Sequence, residues 1–254
     1  MTSDHDHSNK MKFWADFGLK NMPALEGAKV LEIGCGHGER VMQIATLGAS
    51  QAVGVDIMAT RIEQARQSIK ELPEEIRGRI SFVASNINDV DEDNFDIVVS
   101  ENAFEHINEV DEVLGEIKKR LKVGGKAYIG FGPLYHSPYG DHEWMRAVLP
   151  FRKYFPWPWG HLFFRNYIFR KLSEQHDTEI TDTTNWPYLA LNEKSVDDFL
   201  RLFEESGLEL ASVEYNPAQS FKAKLFKLIG RFKPTRKYFT WAILAVLEKK
   251  STAD

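Results

Sequence analysis

The chain has 254 residues, of which 43% are hydrophobic and 27% charged, a globular composition that excludes disorder, collagen-like repeats and low complexity for the chain as a whole. A net charge of −5 offers no overall basic field for nucleic acid, so no nucleic-acid partner is expected. The single cysteine, Cys35, cannot form an internal disulfide, and the polar start lacks a signal-peptide pattern; both point to a cytoplasmic protein.

Strand and helix signals alternate through the first half. Lys29–Ile33 is a short apolar run ending in glycines and is predicted as a buried strand, followed by a helix over 39–47 with Val41, Ile44 and Ala45 at helical spacing. A second strand is predicted at Ala52–Val55. A helix over Thr60–Leu72 carries Ile62, Ala65, Ile69 and Leu72 on one face and ends at Pro73. Ile80–Ala84 and Phe95–Val99 are predicted as strands three and four. The amphipathic stretch Val110–Leu121 stops at Gly124 and Gly125, and Lys126–Phe131 is the fifth strand. Such alternation implies parallel βαβ units, hence an α/β, doubly wound sheet.

The pattern breaks at Pro133. It resumes near Ser195 with a predicted helix stopped by Gly207, then strands at Leu208–Tyr215 and Phe239–Leu247. Between the breaks, residues 133–194 hold fourteen aromatics, nearly half of those in the chain. An insertion this aromatic suits a lid over a ligand cleft, or an embellishment with a small core of its own, within one domain spanning 1–254.

The strongest local signal is Val30–Gly38, where a strand runs into Gly34, Gly36 and Gly38 directly before a helix, with Glu32 two residues ahead of the first glycine. Glycines here let the backbone turn sharply and bring amides to a ligand at a helix N-terminus. Cys35 fits that loop as a small buried residue. Asp56, eighteen residues after Gly38, ends the second strand where a carboxylate can accept bonds from ribose hydroxyls.

These motifs, with Phe82–Ile87, Phe95–His106 and Leu121–Lys126, make the chain resemble class I S-adenosylmethionine-dependent methyltransferases over 28–132 and 195–249. The resemblance implies a seven-stranded sheet ordered 3-2-1-4-5-7-6 with strand seven antiparallel, and S-adenosyl-L-methionine as cofactor. It implies cofactor contacts at Glu32, Gly34, Cys35, Gly36, Gly38, Asp56, Ile57, Asn86, Ile87 and Glu101. Asn86 stands where the family usually has aspartate on adenine; an amide can both accept and donate there. The expected activity is methyl transfer to an oxygen of a small-molecule or lipid- or sugar-linked acceptor.

Methyl transfer from a sulfonium needs alignment and exclusion of water, and a base only where the acceptor proton must leave. Candidates are Glu105 and His106 after strand four, and His136 or His142 in the turn-rich loop Pro133–His142; each histidine has the alternative of holding its loop by packing and hydrogen bonds. Glu101, Glu105 and His106 also resemble the E-x-x-E-H magnesium-ligand set of ubiquinone-type and RNA-end methyltransferases, with the first glutamate one residue early and Asn102 in its expected place; no metal ligands are assigned. The other readings are a catalytically silent binding module, a nucleotide-dependent dehydrogenase, an RNA methyltransferase, which the net charge disfavours, and a metal-assisted methyltransferase on quinone-type or RNA-end hydroxyls. Residues 221–237 interleave cations with apolar residues, a pattern for peripheral membrane contact or for a helix packed on the sheet with a solvated basic rim.

Overall fold

The computed structural model describes residues 24–140, 148, 159–176, 191–217 and 220–251. Its strands are β1 (Lys29–Ile33), β2 (Gln51–Asp56), β3 (Ile80–Ala84), β4 (Phe95–Glu101), β5 (Leu121–Phe131), β6 (Glu209–Tyr215) and β7 (Ile243–Glu248). They form one sheet in the order β3-β2-β1-β4-β5-β7-β6. The first five pair in parallel, while β7 runs antiparallel to both β5 and β6. The central strands β1 and β2 are buried along nearly their whole length, which is why they read as unbroken apolar runs rather than alternating ones.

The helices are α1 (Glu39–Thr46), α2 (Ala59–Ser68), α3 (Glu74–Arg77), α4 (Val110–Arg120), α5 (Gly160–Phe163), α6 (Arg165–His176), α7 (Val196–Glu205), α8 (Phe221–Ile229) and α9 (Lys233–Phe239). Two apolar layers flank the sheet. One, under α4 and α7, is built on Leu114, Ile117, Phe199 and Phe203; the other, under α1 and α2, on Val41, Ile44, Ile62 and Ala65. Among the described residues, no helix is long and apolar enough to cross a membrane.

The structure moves three predicted boundaries. The helix over Val110–Leu121 ends at Arg120 because Leu121 already pairs with Phe95 as the first residue of β5, so the two glycines interrupt a strand edge instead of closing a helix. The last strand begins at Ile243, not Phe239: Pro234 at the start of α9 suits a first helical turn and carries a helix through Phe239. The helix over Thr60–Leu72 starts at Ala59 and gives way at Ile69 to a 3₁₀ turn.

The described part of 133–194 has a small core of its own, in which Tyr135, Ile168, Phe169, Leu172 and Leu191 are buried together. Its first residues also reach the end of β5 and the start of β7, where the Leu134 N–H donates to the Trp241 carbonyl at 2.9 Å.

Candidate active site

The loop between β1 and α1 turns onto the end of β2: the Gly34 and Cys35 N–H groups both donate to the Val55 carbonyl, at 2.8 and 3.1 Å. Gly34, Gly36 and Gly38 have φ of +73°, +53° and +79°, a region that side chains disfavour. Two of them are also confined. A Cβ on Gly34 would lie 2.6 Å from the Cβ of Ala103, and one on Gly38 would lie 2.5 Å from the Phe82 ring. At Gly36 nothing stands within 4 Å, so the middle of the loop is an open cradle. Cys35 is buried against Gly54, and burial pushes its thiol far up, which leaves it inert.

Asp56, buried at the end of β2, accepts from Gly36 N–H at 2.9 Å through Oδ2 and from Met58 N–H at 2.8 Å through Oδ1. One carboxylate thus ties the glycine loop to the turn after β2. Two bonds leave lone pairs on both oxygens for a ligand hydroxyl.

Glu32 lies beneath the loop. Burial pushes its carboxyl up to about 8, while the Arg40 guanidinium, with Nε 3.4 Å from Oε1, pulls the other way. Its Oε2 is buried without a hydrogen-bond partner. Arg40 also pairs with Glu101 at the end of β4, so one cation spans the ends of β1 and β4.

A cavity of about 410 Å³ opens above these strand ends, lined by Gly34, Asp56, Ile57, Asn86, Ile87 and, from the far side, Asn102 and His106. Of the expected cofactor residues, Gly34, Asp56, Ile57, Asn86 and Ile87 therefore line it; Glu32, Cys35, Gly36 and Gly38 belong to the strand end and loop beside it. Glu101 faces a second cavity of about 330 Å³, walled by β5 and β7 and closed by Pro133, Tyr139, Pro217 and Trp241. Asn102 lines both cavities and takes a φ of +54° to turn the chain between them.

The proton-transfer candidates separate in space. His106 lines the first cavity. Glu105, in the same turn, points inward: it is 2% exposed, accepts from Gly132 N–H at 3.2 Å, and burial pushes its carboxyl up to about 8. Its turn is wrapped by Asn192, whose Nδ2 donates to the Phe104 and Ile107 carbonyls at 2.8 and 2.6 Å. The His136 Nε2 lies 3.0 Å from the Glu193 carbonyl, to which it can only donate, and burial holds the ring below the usual histidine range. His142 lies outside the described residues. Glu101, Glu105 and His136 thus point to three different partners, and no group of three or more His, Cys, Asp or Glu suited to a metal ion stands together among the described residues.

Sequence reasoning missed Arg40, Asn102, Asn192 and Trp241. Asn102, between β4 and the Phe104–His106 turn, was visible as a residue at a strand end; the others are joined to the site only by folding.

Residues 24–131 match the family described as "Methyltransferase domain". An uncharacterised protein of Rickettsia prowazekii is 35% identical over 123 residues, covering 46% of this chain and 48% of that protein. A ubiquinone biosynthesis O-methyltransferase of Bradyrhizobium sp. is 31% identical over 148 residues, covering 52% of this chain and 56% of that enzyme. The chain thus spans about half the length of these curated relatives. In fold, it is similar to the crystal structure of an S-adenosylmethionine-dependent methyltransferase from Mesorhizobium loti, with a TM-score of 0.55 at 15% identity over 89% of this chain and 93% of that one.

Proposed function

We propose that the chain is a class I S-adenosylmethionine-dependent methyltransferase, a reading supported by the match of residues 24–131 to the methyltransferase domain, and that it moves the methyl group of S-adenosylmethionine to a hydroxyl oxygen of an apolar or aromatic small molecule. The observation that carries this reading is the pair of cavities sharing Asn102: a nucleoside-sized one with Asp56 and a glycine loop, and an aromatic-walled one beside it.

The residues present fit the cofactor. The open space at Gly36 admits close approach of a ligand to the backbone. Asp56 supplies acceptors for two ribose hydroxyls, and Ile57, exposed beside the cavity, together with buried Ile87 supplies apolar surface for a base, with Asn86 at its edge. The cofactor brings a sulfonium whose methyl is already activated, so the protein has to align the acceptor and keep water out.

Tyr139 and Trp241 wall the second cavity and give a phenol-like or prenylated acceptor a surface to pack on. The Glu101 carboxylate lines that cavity and is oriented by Arg40, which makes it the group placed to take a hydrogen bond from the acceptor hydroxyl. The preference for oxygen is supported by the ubiquinone O-methyltransferase relatives. His106 borders the cofactor, and His136 holds the return of the 133–194 segment through Glu193.

The test is titration of the chain with S-adenosylmethionine and S-adenosylhomocysteine, followed by labelled-methyl transfer to a panel of phenols. Asp56→Ala should weaken cofactor binding by about 1–3 kcal/mol, the cost of hydrogen bonds lost to a charged group. Undiminished affinity in that variant would remove Asp56 from the site. Tight cofactor binding with no transfer to any hydroxyl would leave a binding module in place of an enzyme.

A further inference from the structure

The α8–α9 edge presents its apolar residues the wrong way round for a helix that merely packs on a sheet. Ala223 and Phe226 face inward, with Phe226 meeting Phe239 and Trp241 at centroid distances of 5.1 and 5.4 Å. The opposite face carries Phe221 (82% exposed), Leu225 and Leu228 at intervals of four and three residues, and Phe232 (67%) continues the line in the next turn. These are four of the seven large apolar side chains exposed among the described residues. A solvated face would carry polar groups there.

Charge follows the same edge. Residues 220–240 contain seven Lys and Arg and no acid, in a chain whose net charge is −5. Three of the cations are held internally: Lys227 by Glu214, Arg236 by Asp197, and Lys222 over the Tyr139 ring at 4.5 Å. Lys224, Arg231 and Lys233 are exposed beside the apolar line.

We propose that this edge is a docking surface for an anionic lipid bilayer, with Phe221, Leu225, Leu228 and Phe232 entering the headgroup region and Lys224, Arg231 and Lys233 against lipid phosphates. An interface of that kind asks for both features together, an apolar stripe and basic flanks. The docking surface adjoins the second cavity, because Tyr139 and Trp241 line that cavity while Lys222 and Phe226 lie against them. Docking therefore brings the cavity to the bilayer, where an apolar acceptor would be dissolved; this last link rests on the proposed function, whereas the surface itself does not.

The experiment is co-sedimentation of the whole chain with phosphatidylcholine vesicles containing or lacking phosphatidylglycerol. The chain should bind the anionic vesicles, with affinity falling as salt rises, and bind the neutral ones about tenfold or more weakly. Phe221→Glu combined with Leu228→Glu should cut partitioning about tenfold or more, while melting temperature and cofactor affinity hold. Charge reversal at Lys224, Arg231 and Lys233 should abolish the preference for anionic lipid. Failure of the parent chain to bind anionic vesicles at low salt, or equal binding by the Phe221/Leu228 variant, overturns the proposal. So does a dimer in sedimentation velocity that falls apart in that variant, which would assign the stripe to a second copy. Cofactor titration on the same samples keeps failure of docking distinct from failure of the enzymatic reading.

Discussion

At Glu105 a carboxyl sits 2% exposed, with Gly132 N–H donating to Oε1 and no partner on Oε2. Burial raises its folded pKa to about 8 against an ordinary value of 4.5, so the neutral acid is the form that the fold accommodates. The sign follows. The stabilisation is complete below the unfolded value and is lost as pH rises through about 8, with a slope of up to ~1.4 kcal/mol per pH unit in between. Glu105→Gln keeps the shape, keeps an acceptor for Gly132, and cannot ionise. Urea unfolding should show variant and parent alike near the ordinary carboxyl range and the variant increasingly the more stable as pH climbs towards about 8. Equal slopes in both proteins would mean that some other group titrates. From the sequence, Glu105 was a catalytic candidate on its position after strand four alone. Its inward turn depends on the Gly132 N–H, just past the end of β5, and on Asn192 bonding the carbonyls around it, neither of which a local pattern encodes.

Within elements, the glycine loop divides one physical demand, positive φ, between fold and ligand. Gly34 and Gly38 are required by the protein itself, because a Cβ there meets Ala103 or Phe82; Gly36 meets nothing. Alanine at Gly36 should therefore cost about 1–2 kcal/mol, the left-handed penalty alone, yet lose most cofactor affinity because the added methyl occupies the cradle. Alanine at Gly34 should cost more stability than that, and Ala103→Gly in the same chain should recover part of the loss. Thermal melts with and without cofactor separate the two cases. A Gly34 variant no less stable than the Gly36 one would show that the contact with Ala103 does not constrain the fold. This loop was legible because its information is local: glycine spacing, a buried strand before it and a helix after it. The ends of α4 and β7 were less so, since tertiary pairing of Leu121 with Phe95 and the helix-starting Pro234 decided them over the apolar runs.

Across the whole molecule, the sheet brings together residues more than a hundred positions apart. The order β4-β5-β7 sets Trp241, just before β7, beside Glu101 and Asn102, and no periodicity in the chain announces that neighbourhood. Strand order itself was foreseen through the resemblance; the composition of the second cavity was not, because it depends on how 133–140 and 216–242 meet. There the Leu134 N–H donates to the Trp241 carbonyl at 2.9 Å, and the Asn216 Oδ1 accepts from Trp241 N–H at 2.8 Å. These bonds hold the backbone of Trp241 whatever its side chain, so the ring can be changed while the wall stays in place. If the two cavities serve two ligands, Trp241→Leu should raise the acceptor KM by about tenfold, the loss of an aromatic packing surface being worth roughly 1–1.5 kcal/mol. Cofactor affinity, which the proposed function assigns to Asp56 and its loop across Asn102, should hold. A parallel fall in both would mean that the ring shapes a single common pocket, and the division of labour between β1–β2 and β5–β7 would have to be abandoned.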